Sequence, residues 1–327
     1  MNFKLLKDLY KIHSKTGFEG EIICFIYRWV NENVPSAVID LDWDNGNLYI
    51  TKGVSNTYPC LVAHLDQVQS YHPTDFRAIE TRDIIFGYSP KDRQYCGLGA
   101  DDKNGIWIAL ECLQKYDTLK VAFFISEEIG CVGSREAKMS FFENVRFVVE
   151  PDRKGSSDVI IKICYTDLCS KEFLYDTQYE NYGYSPTSGM MTDIEELKGK
   201  GLGVSCINLS CGYYSPHTDQ EYTVKKDLLK ALCFVENIIE NCTQVYHHKT
   251  QDYLCPYEAD SDMDIRDELY SMIEEEVLYD DTITPDDLFW WYHESYPEIT
   301  LDDIAQIYHE VREGIYGDLE VEYKIAV

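Results

Sequence analysis

The chain has 327 residues and a formal net charge of −29 at pH 7. This length suits one large α/β domain with a small appendage. Nucleic acids and anionic membranes would repel a chain of this charge, so we expect it to bind neither. No apolar run reaches the roughly 18 residues that a membrane span needs, which also argues against a membrane partner.

The negative charge is concentrated in the last quarter of the chain. Residues 249–327 hold 23 acidic residues against 4 lysines and arginines, a net charge of −19. This shift predicts a boundary between a globular domain at 1–248 and an acidic, mainly helical extension of unknown role at 249–327. Within the extension, Ile304, Ile307 and Val311 recur at helical spacing after a Thr300–Asp303 capping box.

The twelve cysteines form no CxxC pair and show no regular spacing. The first eight residues start an amphipathic helix and lack the layout of a signal peptide. We therefore predict reduced thiols and a cytoplasmic protein.

Apolar periodicity predicts that helices and strands alternate over the first 248 residues. In chain order these are helices at 2–15 and 19–33, a hairpin at 37–51, strands at 58–63 and 84–88, a helix at 104–116, strands at 119–126, 145–150, 158–164 and 203–209, and a helix at 224–242. This alternation predicts a three-layer α/β/α sandwich around a central mixed, mostly parallel sheet. Ligands of such folds bind at the strand ends.

Five polar stretches follow these strands or lie beside them. They are His64-Leu65-Asp66, Gly99-Ala100-Asp101-Asp102-Lys103, Glu127-Glu128, Asp152 and His217. Two imidazoles and three carboxylates, one of them bridging, suit a pair of divalent metals such as zinc.

His64 and Asp66 are two residues apart, so in an extended strand their side chains share one face. Asp66 can therefore accept a hydrogen bond from the His64 ring and fix its tautomer. The alternative is a surface histidine followed by a turn aspartate.

The Asp101-Asp102 pair directly precedes a predicted helix. One aspartate between two cations would neutralise and space them, as two-metal hydrolysis requires. Alternatively, the acids act as an N-cap at the positive helix end, which explains one aspartate but not the whole Gly99–Lys103 run.

Glu127 and Glu128 follow the most apolar predicted strand. One carboxylate of such a pair can bind a metal while its neighbour takes a proton from water, because burial raises the pKa of a glutamate toward the operating pH. A solvated acid pair is the alternative. Asp152 ends the next strand, where Glu150 is a rival ligand, and His217 lies on a loop where an isolated histidine is usually inert.

The ordered set resembles the di-zinc exopeptidase superfamily, which includes bacterial leucyl aminopeptidases and peptidase T. The matching stretches are AHLD at 63–66, GLGADDKNG at 97–105, SEEIGCVGS at 126–134, EPD at 150–152 and SPHTDQE at 215–221. The resemblance covers residues 1–245. It implies a bridging Asp101 followed by a cis peptide bond, Glu127 as general base, and further metal ligands at His64, Glu128, Asp152 and His217.

Peptidase T and its relatives insert a dimerisation domain between the equivalents of Asp152 and His217. Only 64 residues separate them here. We therefore expect two or three core elements in this stretch, and a catalytic domain at 1–248 without an inserted lid, like the leucyl aminopeptidase branch.

The resulting hypothesis is an aminopeptidase that cleaves small peptides with water activated by two divalent ions. Zinc is the expected metal, and cobalt or manganese are alternatives. One alternative is a deacylase or amidohydrolase of N-acyl amino acids from the same superfamily. The other is a metal-stabilised binding module without turnover, against which the intact Glu127 argues.

Overall fold

The computed structural model describes residues 3–163 and 166–249, and parts of the later chain at 266, 269–270, 272–273, 277, 283–292, 296 and 299–312. The chain divides into two compact units, Met1–Gln251 and Asp252–Val327. Among the residues so described, no helix is both long and apolar enough to cross a membrane.

The first unit contains all the strands and most of the helices that the structure describes. Its strands are β1 (Ala37–Leu41), β2 (Leu48–Lys52), β3 (Tyr58–His64), β4 (Arg77–Glu80), β5 (Ile84–Ser89), β6 (Gln94–Tyr95), β7 (Leu119–Phe124), β8 (Val145–Arg153), β9 (Asp158–Ile163), β10 (Thr166–Asp167), β11 (Ser185–Gly189), β12 (Cys206–Ser210), β13 (Tyr213–Tyr214) and β14 (Tyr222–Val224). Its helices are α1 (Lys4–Tyr10), α2 (Gly20–Asn33), α3 (Ala100–Lys115), α4 (Val132–Arg135), α5 (Lys171–Thr177), α6 (Asp193–Gly199) and α7 (Lys225–Asn241).

Nine strands form one sheet in the order β1-β2-β7-β3-β8-β12-β9-β10, with β11 beside β9. The four central strands β7, β3, β8 and β12 are parallel to one another. Antiparallel pairs flank them, β1–β2 and β2–β7 on one side and β12–β9 and β9–β10 on the other. The predicted mixed sheet is confirmed, with parallel pairing concentrated at its centre.

Strand β3 shows that the sheet lies between two helical layers. All of its residues are buried, as expected for a parallel strand that is covered on both faces. Leu61 and Ala63 face one apolar core, whereas Cys60 and Val62 face another. Helices α1, α2, α3 and α7 pack into the first core, and α6 contributes Ile194 to the second. This arrangement is the predicted three-layer sandwich.

Two features of the first unit differ from the sequence prediction. A second sheet has five strands in the order β13-β14-β5-β4, with β6 beside β5. Of these strands the sequence predicted only β5, because the other four are short. The stretch between Asp152 and His217 holds more than the expected two or three elements: β9, β10, β11 and β12 all join the main sheet, and α5 and α6 connect them. Strand β11 has the sequence SPTSG, which carries no apolar alternation. The assignment to a lidless branch stays a prediction.

The second unit is helical where the structure describes it. Helix α8 spans Pro285–Tyr292, and residues 301–312 form another helix. Thr300 and Asp303 form the predicted capping box, with the Thr300 N–H 3.0 Å from the Asp303 carboxylate and the Asp303 N–H 3.3 Å from the Thr300 hydroxyl. Ile304, Ile307 and Val311 are buried. The role of this unit and its predicted start at residue 249 stay predictions.

Candidate metal centre

Three of the five polar stretches lie at one edge of the main sheet. His64 is the last residue of β3, Glu127 and Glu128 follow β7, and Asp152 lies near the end of β8. These three strands are adjacent and parallel. Their carboxyl ends therefore meet, which is where ligands bind in such sheets.

The other two stretches reach this edge from loops. Asp101 lies at the start of α3, and its non-helical dihedral angles and those of Asp102 delay the regular helix until after the pair, as predicted. The peptide bond between Asp101 and Asp102 is cis, which confirms what the resemblance implied. His217 lies on the loop between β13 and β14.

The Asp101 carboxylate lies between two imidazoles. Its Oδ1 atom is 3.0 Å from Nε2 of His64, and its Oδ2 atom is 3.3 Å from Nε2 of His217. The same two nitrogens each meet a second carboxylate: Nε2 of His64 is 3.6 Å from Oδ1 of Asp152, and Nε2 of His217 is 3.1 Å from Oε2 of Glu128. Two groups of one histidine and two carboxylates thus share Asp101.

These residues fit a pair of divalent ions. Two ligand atoms about 2.0 Å from a tetrahedral zinc ion lie about 3.3 Å apart, close to the four separations above. The Oε1 atom of Glu128 is also buried without a hydrogen-bond partner in the described part of the chain. A buried carboxylate oxygen in that state is unfavourable unless a proton or a cation neutralises it. Ligand atoms of His64, Asp101 and Glu128 also lie within 4.8 Å of one another, so the structure contains a possible metal-binding site.

Asp102 also belongs to this cluster, as its place in the Gly99–Lys103 stretch predicts, although the sequence did not single it out as a ligand. Ligand atoms of His64, Asp102 and Asp152 all lie within 4.8 Å of one another. One oxygen of Asp102 accepts the Gly105 N–H at 2.9 Å, and the other is buried without a hydrogen-bond partner among the described residues. A Cβ at Gly105 would lie 2.3 Å from the Asp102 carboxylate, so glycine is needed there.

Glu127 lies beside the two histidine-carboxylate groups rather than within either. Its side chain is buried, with its Oε1 atom 3.6 Å from the Cys131 thiol. Burial raises the pKa of Glu127 well above its usual value, and the charges of Asp152, Glu128 and Asp193 raise it further, against the opposing effect of His64. A carboxyl group in this setting is suited to carrying a proton.

Asp66 links the end of β3 to the glutamate pair. Its carboxylate accepts the N–H groups of Glu127 at 2.9 Å and Glu128 at 3.3 Å, and the Thr16 hydroxyl at 2.8 Å. Its Oδ1 atom lies 3.4 Å from Nδ1 of His64, and this nitrogen has no hydrogen-bond partner among the described residues. The proximity that the H-x-D spacing predicts is present, while control of the His64 tautomer stays a prediction.

The structure distinguishes Asp152 from its rival Glu150. Asp152 contacts His64 and accepts a hydrogen bond from the Tyr213 hydroxyl at 3.2 Å. The Glu150 carboxylate is instead bonded to the Thr192 hydroxyl. The sequence could not tell these two acids apart, because they are two residues apart in the same strand. They differ only in the residues of other strands and loops that they contact.

Two further groups were not predicted from the sequence. Glu221 is buried, and its carboxylate accepts backbone N–H groups from the Asp101 loop. Lys103 is buried beside Gln67, and burial lowers its pKa to about 7 despite the charge of Glu221. The signal available for Glu221 was its place four residues after His217, at the end of the SPHTDQE motif.

Comparison with known proteins addresses the fold. No protein-family model and no curated protein matches the sequence. Among solved structures, the aminopeptidase PepT from Bacillus cereus matches with a TM-score of 0.57 at 15% identity, over 73% of this chain and 97% of that chain. The chain therefore has the fold of this aminopeptidase.

Two other solved structures agree. A tripeptidase from Staphylococcus aureus matches with a TM-score of 0.57 at 15% identity, over 72% of this chain and 96% of that chain. An aminopeptidase from the archaeon Desulfurococcus kamchatkensis matches with a TM-score of 0.54 at 15% identity, over 73% of this chain and 94% of that chain. The resemblance inferred from the motifs is thus confirmed at the level of the fold.

The metal-free protein should lose stability as the pH rises from about 5 to about 7. Burial raises the pKa of several carboxyl groups, so the folded protein holds protons that the unfolded chain, with carboxyl pKa values of about 4, has already released. The free energy of unfolding therefore falls as the pH rises toward the folded pKa values. The groups are Asp102, Glu127, Glu128, Glu150, Asp152 and Asp193.

Urea unfolding of chelator-treated protein at the two pH values measures this effect. His72 and Lys103 act in the opposite sense, since burial lowers their pKa values to about 4 and about 7, but they are outnumbered. Added Zn²⁺ should reduce the pH dependence, because cations replace protons as the neutralising charge. Stability of the metal-free protein that rises with pH over this range would contradict the prediction.

Proposed function

We propose that this chain is a metal-dependent aminopeptidase that acts on small peptides. The observation that carries the proposal is the Asp101 carboxylate shared by two histidine-carboxylate groups, with the buried Glu127 beside them. The fold shared with aminopeptidases and a tripeptidase supports it.

The proposed ligands follow from the distances. His64, Asp101 and Asp152 would hold one ion, and His217, Asp101 and Glu128 the other. Zinc suits this set of nitrogen and oxygen donors best, with cobalt or manganese as alternatives. When bound, such ions polarise a scissile carbonyl and lower the pKa of water.

Glu127 would move the proton. Its Oε atoms take a proton from the attacking water and deliver it to the leaving amine, since the raised pKa lets one carboxyl group act first as base and then as acid. Asp66 holds the Glu127 backbone through the N–H bond of 2.9 Å, and the Cys131 thiol contacts the carboxylate. This arrangement argues against a binding module without turnover.

The charge around the site supports a substrate with a free amino group. Glu150 and Asp193 are fully buried, and burial raises the pKa of both, so each becomes negatively charged when a nearby cation replaces its proton. A peptide ammonium group is such a cation, whereas an N-acylated amine carries no charge and gains nothing from these carboxyl groups. His217 is the most open of the proposed ligands, with its side chain 36% exposed, so a substrate can approach from its side.

We also propose a cytoplasmic location. The ten cysteines at described positions are free thiols, which supports the reducing compartment predicted from their irregular spacing.

The substrate assignment is tested with matched pairs. Leucyl and alanyl anilides should be cleaved with added zinc or cobalt, and the same anilides with an acetylated amine should be cleaved much more slowly. N-acetyl amino acids serve as the deacylase substrates. Faster release of acetate from these than of aniline from the free-amine substrates would replace the aminopeptidase by a deacylase.

The metal assignment predicts two divalent ions per chain. His64→Ala and His217→Ala should each lower the bound metal, because each removes a nitrogen from one three-ligand group. The matched control is His247→Ala, since His247 is exposed on the same unit. Elemental analysis after gel filtration measures the content. Unchanged metal in both site variants would refute the ligand assignment.

The role of Glu127 predicts that Glu127→Gln keeps its metal and loses turnover. General acid-base groups contribute about 10²–10⁴-fold to rates, so kcat should fall by about that factor while metal content stays near that of the wild type. Glu136→Gln is the control, because Glu136 is exposed in the same segment. A variant at residue 127 that retains wild-type kcat would remove Glu127 from the mechanism.

A further inference from the structure

Glu221 makes an unusual set of hydrogen bonds. Its side chain is 1% exposed, and its two carboxylate oxygens accept three consecutive backbone N–H groups. The distances are 2.5 Å from the Gly99 nitrogen to Oε2, 2.9 Å from the Ala100 nitrogen to Oε1 and 3.0 Å from the Asp101 nitrogen to Oε1. The third of these donors belongs to the aspartate shared by both metal-binding groups.

The backbone conformation of Gly99 explains why three N–H groups converge. Its φ of 63° and ψ of 40° are left-handed, and such a residue turns successive N–H groups toward one point, which binds an anion. A Cβ at Gly99 would lie 2.7 Å from both Gln67 Oε1 and Lys103 Nζ. Residues 99–101 therefore form an anion-binding arrangement of backbone N–H groups, and the Glu221 carboxylate of the same chain is the anion bound there.

Glu221 connects the two loops that carry proposed ligands. Through its hydrogen bonds it holds the Asp101 backbone, and through the chain it is four residues from His217. Asp219 adds a weaker link between the same loops, since its carboxylate accepts the Gly97 N–H at 3.4 Å.

A buried polar chain extends this connection toward His64. The Gln69 amide donates to Oε2 of Glu221 at 3.3 Å, and the Gln67 amide donates to Gln69 at 2.8 Å. Lys103 in turn donates to Gln67, which is three residues after His64. The Glu221 carboxylate accepts four hydrogen bonds, which is about as many as its two oxygens can accept. It is therefore suited to holding the backbone of the Asp101 loop and not to binding a metal ion.

We propose that Glu221 is the positioning residue of the metal centre, and that it sets the separation of Asp101 and His217. The proposal rests on the metal-dependent function proposed above. The group of His217, Asp101 and Glu128 has two ligands on segments that Glu221 holds. The group of His64, Asp101 and Asp152 has one, because β3 and β8 fix its other two through the sheet.

The testable consequence is that the metal affinities of the two sites depend on Glu221 to different extents. In Glu221→Gln an amide NH₂ must face at least one of the three N–H donors, which loosens the Asp101 loop. One of the two stepwise Co²⁺ dissociation constants should rise about tenfold, the effect of about one lost hydrogen bond. The other dissociation constant should rise by no more than about threefold, since Asp101 is the only ligand of that site on a segment that Glu221 holds.

The measurement is competition between metal-free protein and a chelating dye, with the visible absorption of bound Co²⁺ recording the geometry of each site. Gln220→Ala is the matched control, because Gln220 is exposed in the same loop, and it should leave both constants unchanged. Equal weakening of both constants in Glu221→Gln, or no change in either, would overturn the proposal.

A second variant covers the case in which Glu221→Gln does not fold by circular dichroism. Gln69→Ala removes one of the four donors to the same carboxylate, and it should raise the same dissociation constant by about threefold. An unchanged constant in Gln69→Ala would then overturn the proposal. Wild-type protein that binds two Co²⁺ ions but cleaves no peptide would refute the proposed function and leave the role of Glu221 intact.

Discussion

The position of one carboxylate governs the candidate site. Asp101 lies between the imidazoles of His64 and His217, with Nε2–oxygen distances of 3.0 and 3.3 Å. A shared carboxylate can serve two cations only if both partners approach from opposite sides at ligand spacing. The parallel strands fix one partner, and the loop that Glu221 ties to the Asp101 backbone supplies the other.

The same arrangement is electrostatically costly without cations. Burial and mutual repulsion raise the pKa of Asp102, Glu127 and Glu150, while burial of Asp101 is outweighed by its two histidine partners and its pKa is lowered. Protons or metal ions must therefore neutralise the cluster. A folded chain that maintains so many buried carboxyl groups gives up stability for chemistry, as functional sites often do.

The solved peptidase structures leave part of this chain unmatched. Those structures match over 94–97% of their own length but over only 72–73% of this one. The described part of the extension has its own buried apolar residues, among them Leu288, Ile304 and Val311. The described part is therefore packed rather than a charged tail, and its acidic residues Asp286, Asp287, Asp302 and Glu310 are exposed.

The sequence alone determined the elements with strong periodicity, such as α2 and α7, to within one residue at each end. It also predicted the candidate metal ligands from short motifs that are contiguous in the chain, and their role as ligands stays a prediction. Only the tertiary structure decided which acid contacts His64, that Asp102 joins the cluster, and that Glu221 holds the Asp101 backbone. The physical reason is that periodicity and motifs report what lies within one segment. A hydrogen bond between residues 120 positions apart depends on how the segments pack.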